Sequence, residues 1–271
     1  MTNLQARLVS ALVLAAIVLL ATISGGWLFA VMAAAVAVLI WGEWVDVACP
    51  LADDRVRLLG FGAIALVFLA ALFLPNAALF WIAVIALAGF ALVCWGIGEG
   101  PWPVYGLVYA GATFVAVIML RSSSVGGSGL IAILFLYATV WATDIGAYFA
   151  GRRFGGPKVA VAISPNKTWS GAIGGAASAV VAGVLVFSAA GLEDTATAIG
   201  LALFLSVVAQ AGDFFESWIK RRNGVKDTSQ IMPGHGGMMD RTDGLIAAAI
   251  ALWLLGLALA GPAESAAAFF V

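Results

Sequence analysis

Asp240, Arg241 and Asp243 place three charges within four positions, and an uncharged run, 245–259, follows directly. Asp240 and Asp243 are three residues apart, so they share one face if this segment is helical. One acidic residue at the start of a helix is explained by the helix dipole alone. Two on one face, together with Asp213 in an apolar stretch where a charge is costly, instead indicate a metal site. The pattern predicts Asp213, Asp240 and Asp243 as metal ligands.

The predicted metal is a hard cation. Carboxylates without histidine or cysteine partners suit Mg²⁺, which retains water molecules and accepts phosphate oxygens as further ligands. Zinc is disfavoured, because His235 is the only histidine and Cys49 and Cys94 have no metal-ligand spacing. A carboxylate–metal centre beside basic side chains is what phosphoryl or nucleotidyl transfer requires. The neighbouring cations are Lys220, Arg221, Arg222, Lys226 and Arg241.

Three further positions are candidates. Glu216 or Ser217 lies between Asp213 and Lys220 at helical spacing, so these side chains share one face that runs from membrane depth toward the surface. His235 could act as a general base, a phosphate donor or a residue that orders its loop, and its flanking glycines indicate a backbone that approaches a ligand closely. Asp144 is a carboxylate within an apolar stretch, which marks it as a site candidate.

The elements that carry these residues are membrane helices. The chain has 271 residues, of which 63% are hydrophobic and 10% are charged, whereas a soluble domain has about 25% charged residues. The apolar runs do not alternate with polar residues, which excludes a β-barrel. An all-α polytopic membrane protein of about nine transmembrane helices is therefore predicted. The expected spans are 8–24, 27–45, 58–75, 77–97, 102–120, 129–150, 171–190, 196–215 and 241–260.

The orientation follows from the basic residues. With nine spans, all 13 lysines and arginines except Arg121 fall on the side of the N-terminus. The positive-inside rule then places the N-terminus in the cytoplasm and the C-terminus outside. The candidate chemistry lies in or beside two long cytoplasmic segments, 151–170 and 216–240. Tryptophans near span ends, Trp41 and Trp44 among them, are assigned to an interfacial aromatic belt.

Residues 1–271 are expected to form a single integral membrane domain. Within it, residues 1–127 supply N-terminal helices, and residues 128–271 supply the catalytic helices and cytoplasmic loops. The sequence shows no convincing internal repeat and no separate soluble domain.

The stretch SWIKRRNGVKDTSQIMPGHGGMMDRTDG, 217–244, resembles the signature of the phosphatidate cytidylyltransferases. A second block agrees, TDIGAYFAGRRFGG at 143–156 followed by ISPNKTWSG at 163–171. The chain departs from the family at Ser170, where the family usually has Glu, and at Met232, where Leu, Ile or Phe is usual. The matching signature residues are Ser217, Lys220-Arg221, Lys226-Asp227, Pro233 to Gly237, Asp240, Arg241 and Asp243.

The resemblance implies that CTP and phosphatidic acid react to give CDP-diacylglycerol and pyrophosphate, a step of phospholipid biosynthesis. It implies one or two Mg²⁺ ions on Asp213, Asp240 and Asp243, with the lipid phosphate attacking the α-phosphorus of CTP. Lys220 and His235 join the three aspartates as catalytic candidates. The substrate-binding candidates are Asp144, Lys167, Ser217, Arg221, Lys226 and Arg241.

Several alternatives stay open. A polyprenol kinase or an ether-lipid cytidylyltransferase would look similar, while a CDP-alcohol phosphotransferase lacks support because its DGxxAR opening is absent. A transporter would use Asp144 and Asp213 as coupling carboxylates, but inverted repeats are not found. The expected partners are CTP, phosphatidic acid and membrane lipids, without nucleic acid, and a homodimer is left open. The expected location is a bacterial cytoplasmic membrane, with the active site facing the cytoplasm.

Overall fold

The computed structural model describes the backbone of residues 3–231 and 236–271, and side chains from residue 13 onward within these ranges. Nine α-helices and one short hairpin occur in the described chain. The helices are α1 (Asn3–Ser24), α2 (Gly26–Ala48), α3 (Asp54–Phe73), α4 (Asn76–Gly96), α5 (Trp102–Arg121), α6 (Ser128–Phe154), α7 (Trp169–Ala189), α8 (Thr195–Arg222) and α9 (Met239–Ala260).

The predicted all-α membrane fold is confirmed. Each predicted span corresponds to one helix, and α2 to α9 are long and apolar enough to cross a membrane. In α1 the described side chains contribute the apolar segment Val13–Ser24. The protein is therefore an integral membrane protein, and its orientation stays a prediction.

Two helices run further than predicted. α6 continues to Phe154 and α8 to Arg222, beyond the expected ends at 150 and 215. The last turn of each helix carries basic residues, which the negative end of the helix dipole favours. Gly155, with φ 61°, then ends α6 in a conformation that suits glycine. The predicted cytoplasmic segment 216–240 thus begins as helix.

A hairpin joins α6 to α7, and the sequence did not predict it. Strands β1 (Lys158–Ala160) and β2 (Ser164–Thr168) pair antiparallel, with Lys158 opposite Thr168. Thr168 also caps α7, because its side-chain oxygen accepts a hydrogen bond from Gly171 N at 3.1 Å. Strands this short leave too few alternating positions to be recognised in a sequence.

The described chain forms two compact units. The first contains Met1–Ser122 and Val225–Arg241, and the second contains Ser123–Gly224 and Thr242–Val271. The segment with Asp240 therefore belongs to the unit built from the N-terminal helices. The single membrane domain and its division at 127 and 128 stay predictions.

Two tryptophans of α2 form the centre of the first unit. Trp41 and Trp44 are buried, so their assignment to the aromatic belt was wrong. Trp41 Nε1 donates to the carbonyl of Arg57 at 3.0 Å, and Trp44 Nε1 donates to the carbonyl of Trp102 at 2.9 Å. An indole can serve an interface or a buried contact equally well, and here the backbone carbonyls of neighbouring segments satisfy both N–H groups.

Arg121, the one basic residue on the predicted outer side, has a structural role in the first unit. Its Nε donates to the carbonyl of Thr22 at 2.8 Å, and its guanidinium also reaches the carbonyl of Ile23 at 3.2 Å. These carbonyls belong to the last turn of α1, which lacks helical partners for them. A cation at this helix end is favourable.

Close helix packing defines the second unit. A Cβ atom on Gly174 of α7 would lie 2.2 Å from the Cβ of Ala150, and one on Gly175 would lie 2.7 Å from the carbonyl oxygen of Thr143. Small residues at such contacts let helix backbones approach within a membrane. This packing fixes α6, which carries Asp144, against α7.

We predict that Gly106→Ala destabilises the protein by about 1–3 kcal/mol through overpacking. A Cβ there would lie 2.2 Å from the Trp44 ring. Gly111→Ala on the same helix is the control, because its Cβ would have nothing within 4 Å. Thermal unfolding in detergent micelles measures both, and equal melting temperatures for the two variants would contradict this packing.

Candidate active site

Asp213 and Asp243 adjoin each other in the second unit. α8 supplies Asp213 and α9 supplies Asp243, and the two carboxyl groups lie close enough to interact electrostatically. Gly212 permits the close approach, because a Cβ there would lie 2.6 Å from the Cβ of Ala247 and 2.8 Å from the carbonyl oxygen of Asp243. Two adjoining carboxylates repel unless a proton or a cation lies between them. This pair of oxygen donors suits a hard metal ion.

Two lysines form ion pairs in this region, one with Asp213 of the pair and one with Glu216. Lys167 of β2 forms an ion pair with Asp213, and its Nζ lies 4.3 Å from the centre of the Phe214 ring. Lys220 Nζ lies 2.6 Å from Oε2 of Glu216, a side chain that is 1% exposed. Glu216 also acts electrostatically on Asp243. The hairpin thus brings one cation to Asp213, and α8 carries a second cation on Glu216.

α8 carries the side chains of the face that the sequence predicts. Of the two candidates between Asp213 and Lys220, Glu216 rather than Ser217 forms the ion pair with Lys220. Asp144 on α6 lies within electrostatic range of Asp213 and Lys167. The structure therefore groups Asp144 with the pair, while its role and that of Ser217 in substrate binding stay predictions.

Asp240 lies in the first unit, where three donors hold one of its oxygens. Its Oδ2 accepts from Thr228 N at 2.9 Å, Thr228 Oγ1 at 3.0 Å and Gly237 N at 2.8 Å. A carboxylate with several such donors is fixed in orientation. The residues that follow α8 thus fold back onto the first turn of α9.

Glu43 of α2 is a candidate site residue that the sequence analysis missed. It is 1% exposed and accepts four hydrogen bonds from the same segment that holds Asp240. The available signal was an ionisable residue within a predicted span, which is a functional candidate by default. Because Glu43 lies close to the end of the predicted span 27–45, the sequence analysis did not single it out.

The two glycines after His235 lie against side-chain oxygens of the protein. A Cβ on Gly236 would lie 2.7 Å from Asp240 Oδ2, and one on Gly237 would lie 2.1 Å from Thr228 Oγ1. Gly236 also has φ 80°, a value that favours glycine. The predicted approach of this backbone to a ligand stays a prediction. His235 lies outside the described residues, as do Met232, Pro233 and Gly234.

The remaining cationic candidates lie on the surface. Arg221, Lys226 and Arg241 are exposed. Their proposed contacts with phosphate stay predictions.

Ser170, which replaces the usual Glu, supports the hairpin. Its hydroxyl donates to the carbonyl of Gly155 and lies 3.1 Å from Oγ1 of Thr168. It therefore ties the end of α6 to the start of α7, close to Lys167 in sequence.

The complete ligand set stays a prediction. Within residues 3–231 and 236–271, no three carboxylate, histidine or cysteine side chains group closely enough to hold a metal ion together.

Cys49 and Cys94 are free and buried. Burial raises the pKa of the Cys49 thiol to about 12, which opposes the thiolate that metal binding requires.

Comparison with known proteins agrees with the motif. The model of the cytidylyltransferase family matches residues 5–259. The phosphatidate cytidylyltransferases of Brucella suis and Brucella abortus are each 44% identical over 273 residues, covering 100% of this chain and 99% of the relative. That of Haemophilus influenzae is 46% identical over 126 residues, covering 44% of this chain and 43% of the relative. The chain therefore belongs to the cytidylyltransferase family.

Proposed function

We propose that this membrane enzyme transfers the cytidylyl group of CTP to phosphatidic acid in phospholipid biosynthesis. A phosphate oxygen of the lipid bonds to the α-phosphorus of CTP, and the bond from that phosphorus to the bridging oxygen of the β-phosphate breaks. The products are CDP-diacylglycerol and pyrophosphate. The observation that carries the proposal is the full-length similarity to proteins named for this activity.

The lysine and carboxylate arrangement supports the same reaction. Lys167 and Lys220 are held by Asp213 and Glu216, so their ammonium groups are already oriented when a triphosphate arrives. Preorganised cations stabilise charge that develops on phosphate oxygens in the transition state. Arg221, Lys226 and Arg241 add positive charge along the path of an anionic substrate.

The proposed cofactor is Mg²⁺, with a second metal ion as an extension. Asp213, Asp240 and Asp243 would hold it, since their oxygen donors match a hard cation. When bound, such an ion neutralises phosphate charge and makes the α-phosphorus more electrophilic. The lipid phosphate is itself nucleophilic as a dianion, so His235 need not act as a base. His235 stays a candidate for catalysis, phosphate contact or loop order.

The active site is proposed to face the cytoplasm of a bacterial cell, at the inner membrane. The similar proteins are bacterial, and the basic residues favour a cytoplasmic N-terminus. CTP then arrives from water, while the lipid phosphate lies at the membrane surface beside the spans. Membrane lipids surround the helices, and a homodimer stays a prediction.

Replacement of the metal-binding aspartates tests the activity and the site together. Purified protein with CTP, phosphatidic acid and Mg²⁺ should form CDP-lipid and pyrophosphate in equal amounts, and EDTA should abolish this. Asp240→Asn and Asp243→Asn should each lower turnover by at least about 100-fold, as expected when transition-state charge stabilisation is lost. Asp194→Asn is the control, because Asp194 only caps α8 and asparagine caps equally well.

Two failures are distinguishable. No product from the unaltered protein with any divalent ion would contradict the proposed function. Near-normal turnover of a folded Asp243→Asn variant would remove Asp243 from the site and leave the function in place.

Cysteine labelling tests the orientation. Glu193→Cys should react with an impermeant maleimide only from outside the cell, and Lys226→Cys only after the membrane is opened. The native cysteines are buried, so background labelling should be low. The reverse pattern would contradict a cytoplasmic active site.

A further inference from the structure

Glu43 is a carboxylate buried among the apolar helices of the first unit. It is 1% exposed, and a buried charge is costly unless hydrogen bonds satisfy it. Its donors all come from one distant part of the chain, residues 228–239. The carboxylate thus joins α2 to the segment that precedes α9.

Each oxygen of Glu43 accepts two hydrogen bonds. Oε1 accepts from Ser229 Oγ and Met238 N, both at 2.7 Å. Oε2 accepts from Met239 N at 2.7 Å and shares the single proton of Thr228 Oγ1, 3.0 Å away, with Asp240 Oδ2. The donors flank the PGHGG motif in the sequence, and two of them are backbone amides where α9 begins. We name these four contacts the Glu43 clamp.

The clamp is continuous with the contacts that hold Asp240. The Thr228 hydroxyl lies 3.0 Å from Glu43 Oε2 and 3.0 Å from Asp240 Oδ2. Thr228 N and Gly237 N also donate to Asp240. The donors of Asp240 therefore come from residues inside or beside the clamp, and a shift of the clamped segment would move them.

Gly237 is sterically required by this arrangement. A Cβ there would lie 2.1 Å from Thr228 Oγ1 and 2.5 Å from Glu43 Oε1. Both atoms belong to the clamp, so a larger residue would push the segment away from Glu43. The second glycine of the GG pair thus serves the clamp.

We propose that Glu43 and Thr228 are positioning residues for the reaction, which hold residues 228–229 and 237–239 so that the Asp240 carboxylate is preorganised. The proposal rests on the proposed function only for the metal-binding role of Asp240. Preorganised side chains bind a metal and a transition state more tightly than mobile ones, because less ordering is required when they bind.

The chemistry of the clamp defines the variants. In Glu43→Gln one acceptor oxygen becomes an NH₂ group, which cannot accept from the backbone amide facing it, so Met238 N or Met239 N loses its partner. Thr228→Val keeps the shape and removes the hydroxyl, whereas Thr228→Ser restores the hydroxyl. Thr113→Val is the matched control, because Thr113 is buried in the same unit and its hydroxyl donates to the carbonyl of Tyr109 within its own helix.

Two measurements need neither CTP nor lipid. Amide hydrogen exchange at residues 237–239 should accelerate about tenfold or more in Glu43→Gln, as expected for a lost hydrogen bond to a charged group. Mn²⁺ binding, followed by electron paramagnetic resonance, should weaken in Glu43→Gln and Thr228→Val and stay within about twofold of normal in Thr228→Ser. A loss of about tenfold or more corresponds to one charged hydrogen bond. These two readouts judge the clamp even if the protein makes no CDP-lipid.

Turnover separates positioning from simple stability. Thr228→Val should lower kcat about tenfold or more and raise the Mg²⁺ concentration for half-maximal rate, while KM for phosphatidic acid stays within about twofold. Thr228→Ser and Thr113→Val should retain normal kcat. Unchanged exchange in Glu43→Gln would overturn the proposal. Equal Mn²⁺ binding by the valine and serine variants at residue 228 would also overturn it, as would equal losses in Thr228→Val and Thr113→Val.

Discussion

The need to compensate negative charge on membrane helices governs the candidate site. A carboxylate in an apolar span is costly until a cation or several N–H and O–H donors satisfy it. Four hydrogen-bond contacts surround Glu43 and three surround one oxygen of Asp240, and the two sets share the single proton of the Thr228 hydroxyl. Lys167 and Lys220 form ion pairs with Asp213 and Glu216. The closeness of Asp243 to Asp213 adds negative charge, and a hard metal ion is the partner proposed for it.

Small residues let the helices come close enough for these contacts. Gly212 brings α8 against the turn of α9 that carries Asp243, and Gly237 leaves room for Glu43 beside Thr228. The hairpin then delivers Lys167, and Ser170 ties the ends of the helices that flank it. Backbone geometry and charge compensation thus act together, because a carboxylate only a few ångströms further from its donors would be left unsatisfied.

The helices could be predicted because membrane hydrocarbon requires long apolar segments, and that requirement leaves a clear pattern in the sequence. The face shared by Asp213 and Lys220 could be predicted from helical spacing. Glu43 could not be connected to Asp240, because the link runs through Thr228, which lies 185 positions from Glu43 in the sequence. The burial of Trp41 depends on contacts with other helices, which local composition does not reveal. The roles of the aspartates in metal binding stay predictions.

The fate of each phosphorus of CTP tests the central claim most directly. Purified protein is incubated with phosphatidic acid, Mg²⁺ and CTP carrying ³²P at either the α or the γ position, and the lipid and aqueous products are separated. Attack at the α-phosphorus predicts that α label enters the lipid and that γ label leaves in pyrophosphate. Transfer of γ label to the lipid would contradict cytidylyl transfer and indicate a lipid kinase instead.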